Sequence, residues 1–304
     1  MPAGPDREKA PGEDSRAAPA GSGRTAGEPR GGSGHAPIRY VALGDSFTEG
    51  VGDVDPERPN GVRGWADRVA EQLTLRFPDT TYANLAIRGR LLNRILDDQV
   101  GPALELGPTL VSIYGGGNDI LRPNIDIDEL MLGYDDAFAR IRASGAQVLT
   151  FTGFDVRNFY GIFRGTRGRT AIYNELLRQI AEDRGVILVD FWRFSGEFQD
   201  ARYWAPDRLH LSTLGHVKMA GKVLEALQVA PDDLGLEPLP RMREVSRVQT
   251  TRANVEWVRE FALPWVGRRL RGTSSGDALT PRYPEAQSMS VTEGRDPGPG
   301  AVSP

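Results

Sequence analysis

The chain has no cysteine. Its absence excludes disulfides, thiolate nucleophiles and cysteine-ligated metal sites, and removes the usual staple of small secreted domains. Histidine is almost as scarce, with three in 304 residues, and only His210 and His216 fall in sequence able to fold. Lysine occurs at positions 9, 218 and 222 alone, so the basic charge is carried by arginine. No apolar run reaches the roughly 18 residues needed to cross a bilayer, and the first residues lack the apolar stretch of a secretory signal. The chain therefore reads as a cytoplasmic protein without stable membrane insertion. A net charge of -4 gives no footing for nucleic-acid binding.

Residues 1–36 lack Ile, Leu, Val, Phe, Tyr and Trp entirely. Such a segment cannot bury enough apolar surface to offset the entropy of ordering, and it reads as a disordered tail. From residue 37 to about 230 the pattern changes. Apolar runs at Ile38–Leu43, Thr81–Ala86, Thr109–Tyr114, Gln147–Thr152 and Val186–Val189 read as strands, and stretches of helical period lie between them. Alternation of this kind calls for a parallel sheet with right-handed crossovers and helices on both faces. The expected architecture is one sheet of five parallel strands in the order 2-1-3-4-5. Residues 231–271, with Trp257, Phe261 and Trp265, read as a helical extension, and 272–304, rich in Ser, Gly and Pro, as a second disordered tail.

The first strand breaks at Gly44 and delivers Asp45-Ser46. In the expected strand order the loops after strands one and three open into one crevice, where open α/β sheets bind ligands. A serine hydroxyl is a weak nucleophile and needs a base held in turn by a carboxylate. His210, between the last strand and the last helix, is the candidate base. Asp207, three residues earlier, is the candidate orienter, and Asp190 at the end of strand five is its rival. Donors for a developing oxyanion are available from the Ser46 N–H, the Gly89 N–H and the Asn118 side-chain amide. His216, on the last helix, reads as a packed or hydrogen-bonded residue near the site. No metal ligand set, phosphate loop or dinucleotide fingerprint is apparent, so no cofactor is expected.

Gly44-Asp45-Ser46, Gly89, Gly116-Gly117-Asn118-Asp119 and Asp207-Arg208-Leu209-His210 resemble the four spaced blocks of the SGNH hydrolases, also called GDSL esterases and lipases. The resemblance spans roughly residues 38–230. It implies a three-layer α/β/α, flavodoxin-like fold and hydrolysis of a small-molecule carboxylic ester through an acyl-enzyme, with Ser46 as nucleophile, His210 as base, Asp207 as orienter, and Ser46, Gly89 and Asn118 as the oxyanion hole. Leu211 follows the histidine where many relatives have proline, which removes no catalytic group. Relatives include lysophospholipases, carbohydrate acetylesterases and acyltransferases, so transfer of the acyl group to another acceptor is the alternative activity, and a non-catalytic binding role a more distant one. The connection 153–169, with Phe154, Phe159, Tyr160 and Phe163, reads either as a lid in which aromatics such as Phe159, Tyr160 and Phe163, together with Arg164, contact substrate, or as a solvated loop with its aromatics tucked on the core. Its arginines, 157, 164, 167 and 169, are the expected hold on an anion. Nothing in the sequence addresses oligomeric state.

Overall fold

The computed structural model describes residues 36–158, 164–235, 239–240, 252, 254–264, 267 and 274–289. The expected N-terminal tail lies outside them except for Ala36. Five parallel strands form the centre of one sheet: β1 (Arg39–Gly44), β2 (Thr81–Asn84), β3 (Leu110–Tyr114), β4 (Gln147–Phe151) and β5 (Ile187–Val189). Their spatial order, β5-β4-β3-β1-β2, is the one anticipated. Strand β1 lies between β2 and β3, with Val41 opposite both Ala83 and Val111.

Period-two alternation along β1 feeds both layers. Val41 and Leu43 pack with Val111, Ile113 and Val148 under α3 (Leu92–Glu105), α5 (Ile127–Ala143) and α6 (Arg167–Asp183). Tyr40 and Ala42 point the other way, into a core with Trp65, Val69 and Leu73 of α2 (Gly64–Arg76) and Met219, Val223 and Leu224 of α8 (Thr213–Ala226). Short helices α1 (Ser46–Glu49), α4 (Gly117–Ile120) and α7 (Phe191–Phe194) each follow the C-terminal end of a strand. Ser212 caps α8 as its position predicts, its hydroxyl accepting from the Gly215 N–H at 3.3 Å.

The sheet has six strands, not five. Strand β6 (Tyr283–Gln287) runs antiparallel to β2 at the sheet edge, inside the stretch anticipated to be a disordered tail from residue 272. The reason it escapes a pattern reading is physical. Only Tyr283 of its five residues is buried, and Pro284 is tolerable only because an edge strand has one unpaired side. What anchors it is polar. Arg282 is buried against Asp67, the Glu49 and Arg63 carbonyls and the Pro59 carbonyl. Of the anticipated 231–271 extension, residues 254–257 and Val258–Ala262 are helical. Trp265 and residues 268–271 fall outside the described residues. Among the described residues, no helix is long and apolar enough to cross a membrane.

Candidate active site

Gly44 ends β1 at φ +152°, and a Cβ there would sit 2.5 Å from the Thr48 hydroxyl and 2.7 Å from the Tyr114 carbonyl. Only glycine permits this turn. The Gln99 side chain fixes it from below, accepting from the Gly44 N–H at 2.8 Å and donating to its carbonyl at 3.0 Å. The chain then enters α1 at Ser46, with Asp45 as N-cap accepting from the Phe47 N–H at 3.1 Å.

His210 arrives from the loop before α8. Its Nε2 lies 2.9 Å from Ser46 Oγ and its Nδ1 2.6 Å from the Asp207 carboxylate. Asp207 is itself immobilised, since its other carboxylate oxygen accepts the N–H groups of Leu209 and His210, each at 3.0 Å. Burial works to raise the Asp207 carboxyl, but the His210 partner and these two N–H donors outweigh it and hold the acid down at about 2. The carboxylate is thus charged at any ordinary pH. Its rival, Asp190, is engaged elsewhere: it takes a forked pair of bonds from Arg178 at 2.9 and 3.0 Å, accepts from the Thr152 hydroxyl and caps α7.

Gly89, after β2, and Asn118, in α4, line the same cleft as Ser46 and His210. Gly89 adopts φ +76°, and a Cβ there would meet the Ser274 hydroxyl at 2.0 Å, so the C-terminal segment seats directly on this glycine. The Asn118 amide is steadied by the Arg90 carbonyl at 3.1 Å and by Asp45 at 3.2 Å. Burial pushes the Asp45 carboxyl up to about 6. The cleft measures about 530 Å³. One wall is aromatic, where Phe154 packs tilted against Phe191 and Trp204, at 5.6 and 5.2 Å between ring centres.

The serine, histidine, aspartate, glycine and asparagine named from sequence therefore meet in one place, and from the connection 153–169 Gly153, Phe154, Val156 and Thr166 line the same cleft. Phe159, Tyr160 and Phe163 lie outside the described residues. Arg164 is exposed and is not among the described residues lining the cleft. Arg157 and Arg167 pair with Asp155 at 3.2 and 2.7 Å, and Arg169 donates to the Arg122 carbonyl. His216 is fully buried, with Nδ1 accepting from the Trp65 N–H at 3.1 Å and Nε2 donating to the Val51 carbonyl at 3.2 Å.

The model of the GDSL-like lipase/acylhydrolase family matches residues 42–218, which hold every one of the blocks just described. The chain belongs to this family. As a GDSL-like acylhydrolase it is a hydrolase acting on ester bonds. Among curated proteins none matches it in sequence. Solved structures share its fold at low identity. LAE5, an α/β hydrolase from the metagenome of Lake Arreo, Spain, is 22% identical, with a TM-score of 0.52 over 63% of this chain and 95% of its own. TesA is also 22% identical, with a TM-score of 0.51 over 62% and 98%. Axe2, an acetylxylan esterase from Geobacillus stearothermophilus, is 20% identical, with a TM-score of 0.51 over 66% and 95%. Nearly the whole length of each of the three is covered by this GDSL-like chain.

Phe154 was anticipated at the site, but sequence reasoning missed Phe191 and Trp204 beside it and the contributions of Trp257 and Ser274. Trp257 donates its indole N–H to the Asp207 carbonyl at 2.7 Å. Its only sequence signal was an apolar face needing cover in the extension.

Proposed function

We propose that this acylhydrolase is a serine esterase that cleaves a small acyl ester through an acyl-enzyme on Ser46. The observation that carries the reading is the unbroken relay from Ser46 Oγ to His210 Nε2 and from His210 Nδ1 to Asp207, at 2.9 and 2.6 Å. With Asp207 ionised, the Nδ1 proton stays on the ring, which leaves Nε2 free to accept the serine proton. Ser46 Oγ attacks the ester carbonyl carbon, His210 takes the proton, and the carbonyl oxygen becomes an oxyanion. The Ser46 and Gly89 N–H groups and the Asn118 amide are the proposed donors to it.

Collapse of that intermediate expels the alkoxide, to which His210 returns the proton, and the acyl group remains on Ser46. Water then attacks with His210 again as base, and the acid is released. The aromatic wall accounts for binding the apolar part of the ester. A cleft of about 530 Å³ falls within the range of small-molecule sites.

The test is hydrolysis of p-nitrophenyl esters from acetate to palmitate by the wild type, Ser46→Ala and His210→Ala. Turnover of the short esters should fall by on the order of 10⁴-fold or more in either variant, since both residues serve one step. Undiminished turnover in Ser46→Ala overturns the assignment. A preference for palmitate overturns the small acyl group, and faster capture of the acyl group by an added alcohol than by water reassigns the enzyme as an acyltransferase.

A further inference from the structure

The cleft has two unlike linings. Ser46 follows β1, between β2 and β3. From the loops after β4 and β5 come Phe154, Phe191 and Trp204. The segments after β2 and β3, the strands that flank β1, supply a cationic lining: Arg88 and Arg90 follow β2, Arg94 lies in the first turn of α3, and Arg122 follows α4. These four guanidinium groups are not equally committed. Arg88 is spent on the buried Glu49, which it grips with Nε and Nη2 at 2.6 to 3.0 Å. Arg94 reaches Asp98 only at 3.7 Å, with both side chains largely exposed, a pair of little strength.

Arg90 and Arg122 make no side-chain hydrogen bond or ion pair to any described residue, and Arg90 is half-buried. The carboxylates of the cleft do not neutralise them. Asp207 belongs to His210, Asp45 is buried beneath Asn118, and Asp277 accepts the Ser274 N–H at 2.7 Å in the turn that covers Gly89. The half-buried Arg90 guanidinium, with no partner among the described residues, retains the cost of partial desolvation, and the exposed Arg122 stands uncommitted among the same described residues. An anion from the substrate would repay that cost, because the planar fork of arginine matches carboxylate and phosphate oxygens.

Resting on the esterase reading, we infer that the substrate is an anionic ester, carrying a carboxylate or phosphate that Arg90 and Arg122 hold while the apolar part lies against Phe154, Phe191 and Trp204. The anion-binding arginines are thus those after β2 and β3, not the lid arginines 157, 167 and 169, which are occupied. The charge sits on either the acyl part or the alcohol part of the ester, and a pair of probes separates the two.

The experiment compares kcat/KM for butyl hydrogen succinate, with the charge on the acyl part, and for 2-phosphoethyl butyrate, with the charge on the alcohol part, against neutral butyl butyrate. In the wild type at least one anionic ester should exceed the neutral one by about tenfold, the scale of one hydrogen bond to a charged group. The Arg90→Gln, Arg122→Gln double variant should bring that ratio close to unity, and high salt should shrink it. A ratio at or below unity for both anionic esters, or one that survives in the double variant, overturns the proposal. Failure of the esterase reading looks different, as no cleavage then depends on Ser46. In that event, calorimetric titration of butyl hydrogen succinate decides: weaker binding to the double variant than to the wild type supports the anion site, and equal binding overturns it.

Discussion

Trp257 donates its indole N–H to the main-chain carbonyl of Asp207 at 2.7 Å, so a residue 50 positions downstream holds the loop that carries the proposed base and its orienter. The turn needs holding. Arg208, between Asp207 and Leu209, sits at φ +56°, a conformation that a side chain with a Cβ adopts only at some cost. Its guanidinium lies 5.6 Å over the Trp257 ring and donates to the Asn254 side-chain oxygen at 2.8 Å. The C-terminal helical segment thus compensates strain two residues from His210. Trp257→Phe keeps the ring and deletes the donor. It should lower kcat several-fold with KM little changed, because what is lost is the placement of His210 and not a substrate contact. Steady-state kinetics on a short p-nitrophenyl ester checks this, and a change confined to KM would assign Trp257 to binding.

Asp207 and Asp190 were both candidates for orienting His210, and their surroundings now separate them. Asp207→Asn keeps an oxygen for the two N–H donors but cannot hold the imidazolium charge or enforce the tautomer. The expected loss in kcat is about 10³-fold. Asp190→Asn instead weakens the Arg178 fork and the α7 cap, so its effect should appear in the thermal midpoint and leave kcat within a few-fold. The opposite pattern in kinetics and melting curves would hand the orienting role to Asp190.

Most of this site was legible because its parts sit where the chain announces them. Each of the five parallel strands is an apolar run stopped by glycine, aspartate or asparagine, and Ser46, Gly89 and Asn118 lie beyond such stops, with His210 in the loop just before α8. The illegible parts obey no local period. Phe191 and Trp204 look like any loop aromatics until Phe154 is brought beside them. Strand β6 carries no apolar alternation at all, since its anchor is an arginine whose burial depends on Asp67, 215 residues away. An arginine in a Ser, Gly and Pro rich stretch reads as solvated, because burying it is unfavourable until that acid is in place.

His216 offers a test in pH. Burial pushes its imidazole down to about 4 from the ordinary 6.5, with Asp53 pulling weakly the other way. The folded value lies below the unfolded one, so between these values the unfolded chain binds the extra proton, and this group's contribution to stability is present above about 6.5 and lost as pH falls towards 4. Asp45 works in the opposite sense, because its raised value favours the folded state at low pH. Comparing His216→Gln with the wild type cancels the Asp45 contribution. Glutamine retains one donor and one acceptor for Val51 and Trp65. Relative to the wild type, the variant should gain up to roughly 1 kcal/mol per pH unit as pH falls from 6 to 5. Urea unfolding at pH 7, 6 and 5 measures it. A difference that stays constant with pH would mean that His216 titrates alike in both states.

Arg282 makes the strand that follows it, β6, part of the fold. Its side chain and that of Asp67 are both 0% exposed, and Asp67 also accepts from the Tyr82 hydroxyl at 2.9 Å. Two parallel bonds join the pair, Nη1 to Oδ1 at 3.0 Å and Nη2 to Oδ2 at 2.7 Å. Nε donates to the Pro59 carbonyl at 3.0 Å, and Nη1, which also serves Oδ1, is shared with the carbonyls of Glu49 and Arg63, each at 2.9 Å. Glu49 is the last residue of the helix that begins at Ser46, so the same guanidinium that pins β6 also braces the nucleophile's helix. A pair this deep is weak evidence of net stabilisation when intact, but removing one partner strands the other charge in the core. Arg282→Ala should therefore cost about 3–5 kcal/mol. Arg282→Lys restores the charge without the five-donor fork and should recover only part of it. The surface pair Arg184–Asp135, equally well formed at 2.6 Å but about two-fifths exposed at each side chain, is the control. Arg184→Ala should shift the urea midpoint little, because solvent screens both partners before and after. If Arg282→Ala unfolds no earlier than Arg184→Ala, the C-terminal strand is only draped on the edge of β2, and the bond to the Glu49 carbonyl braces nothing.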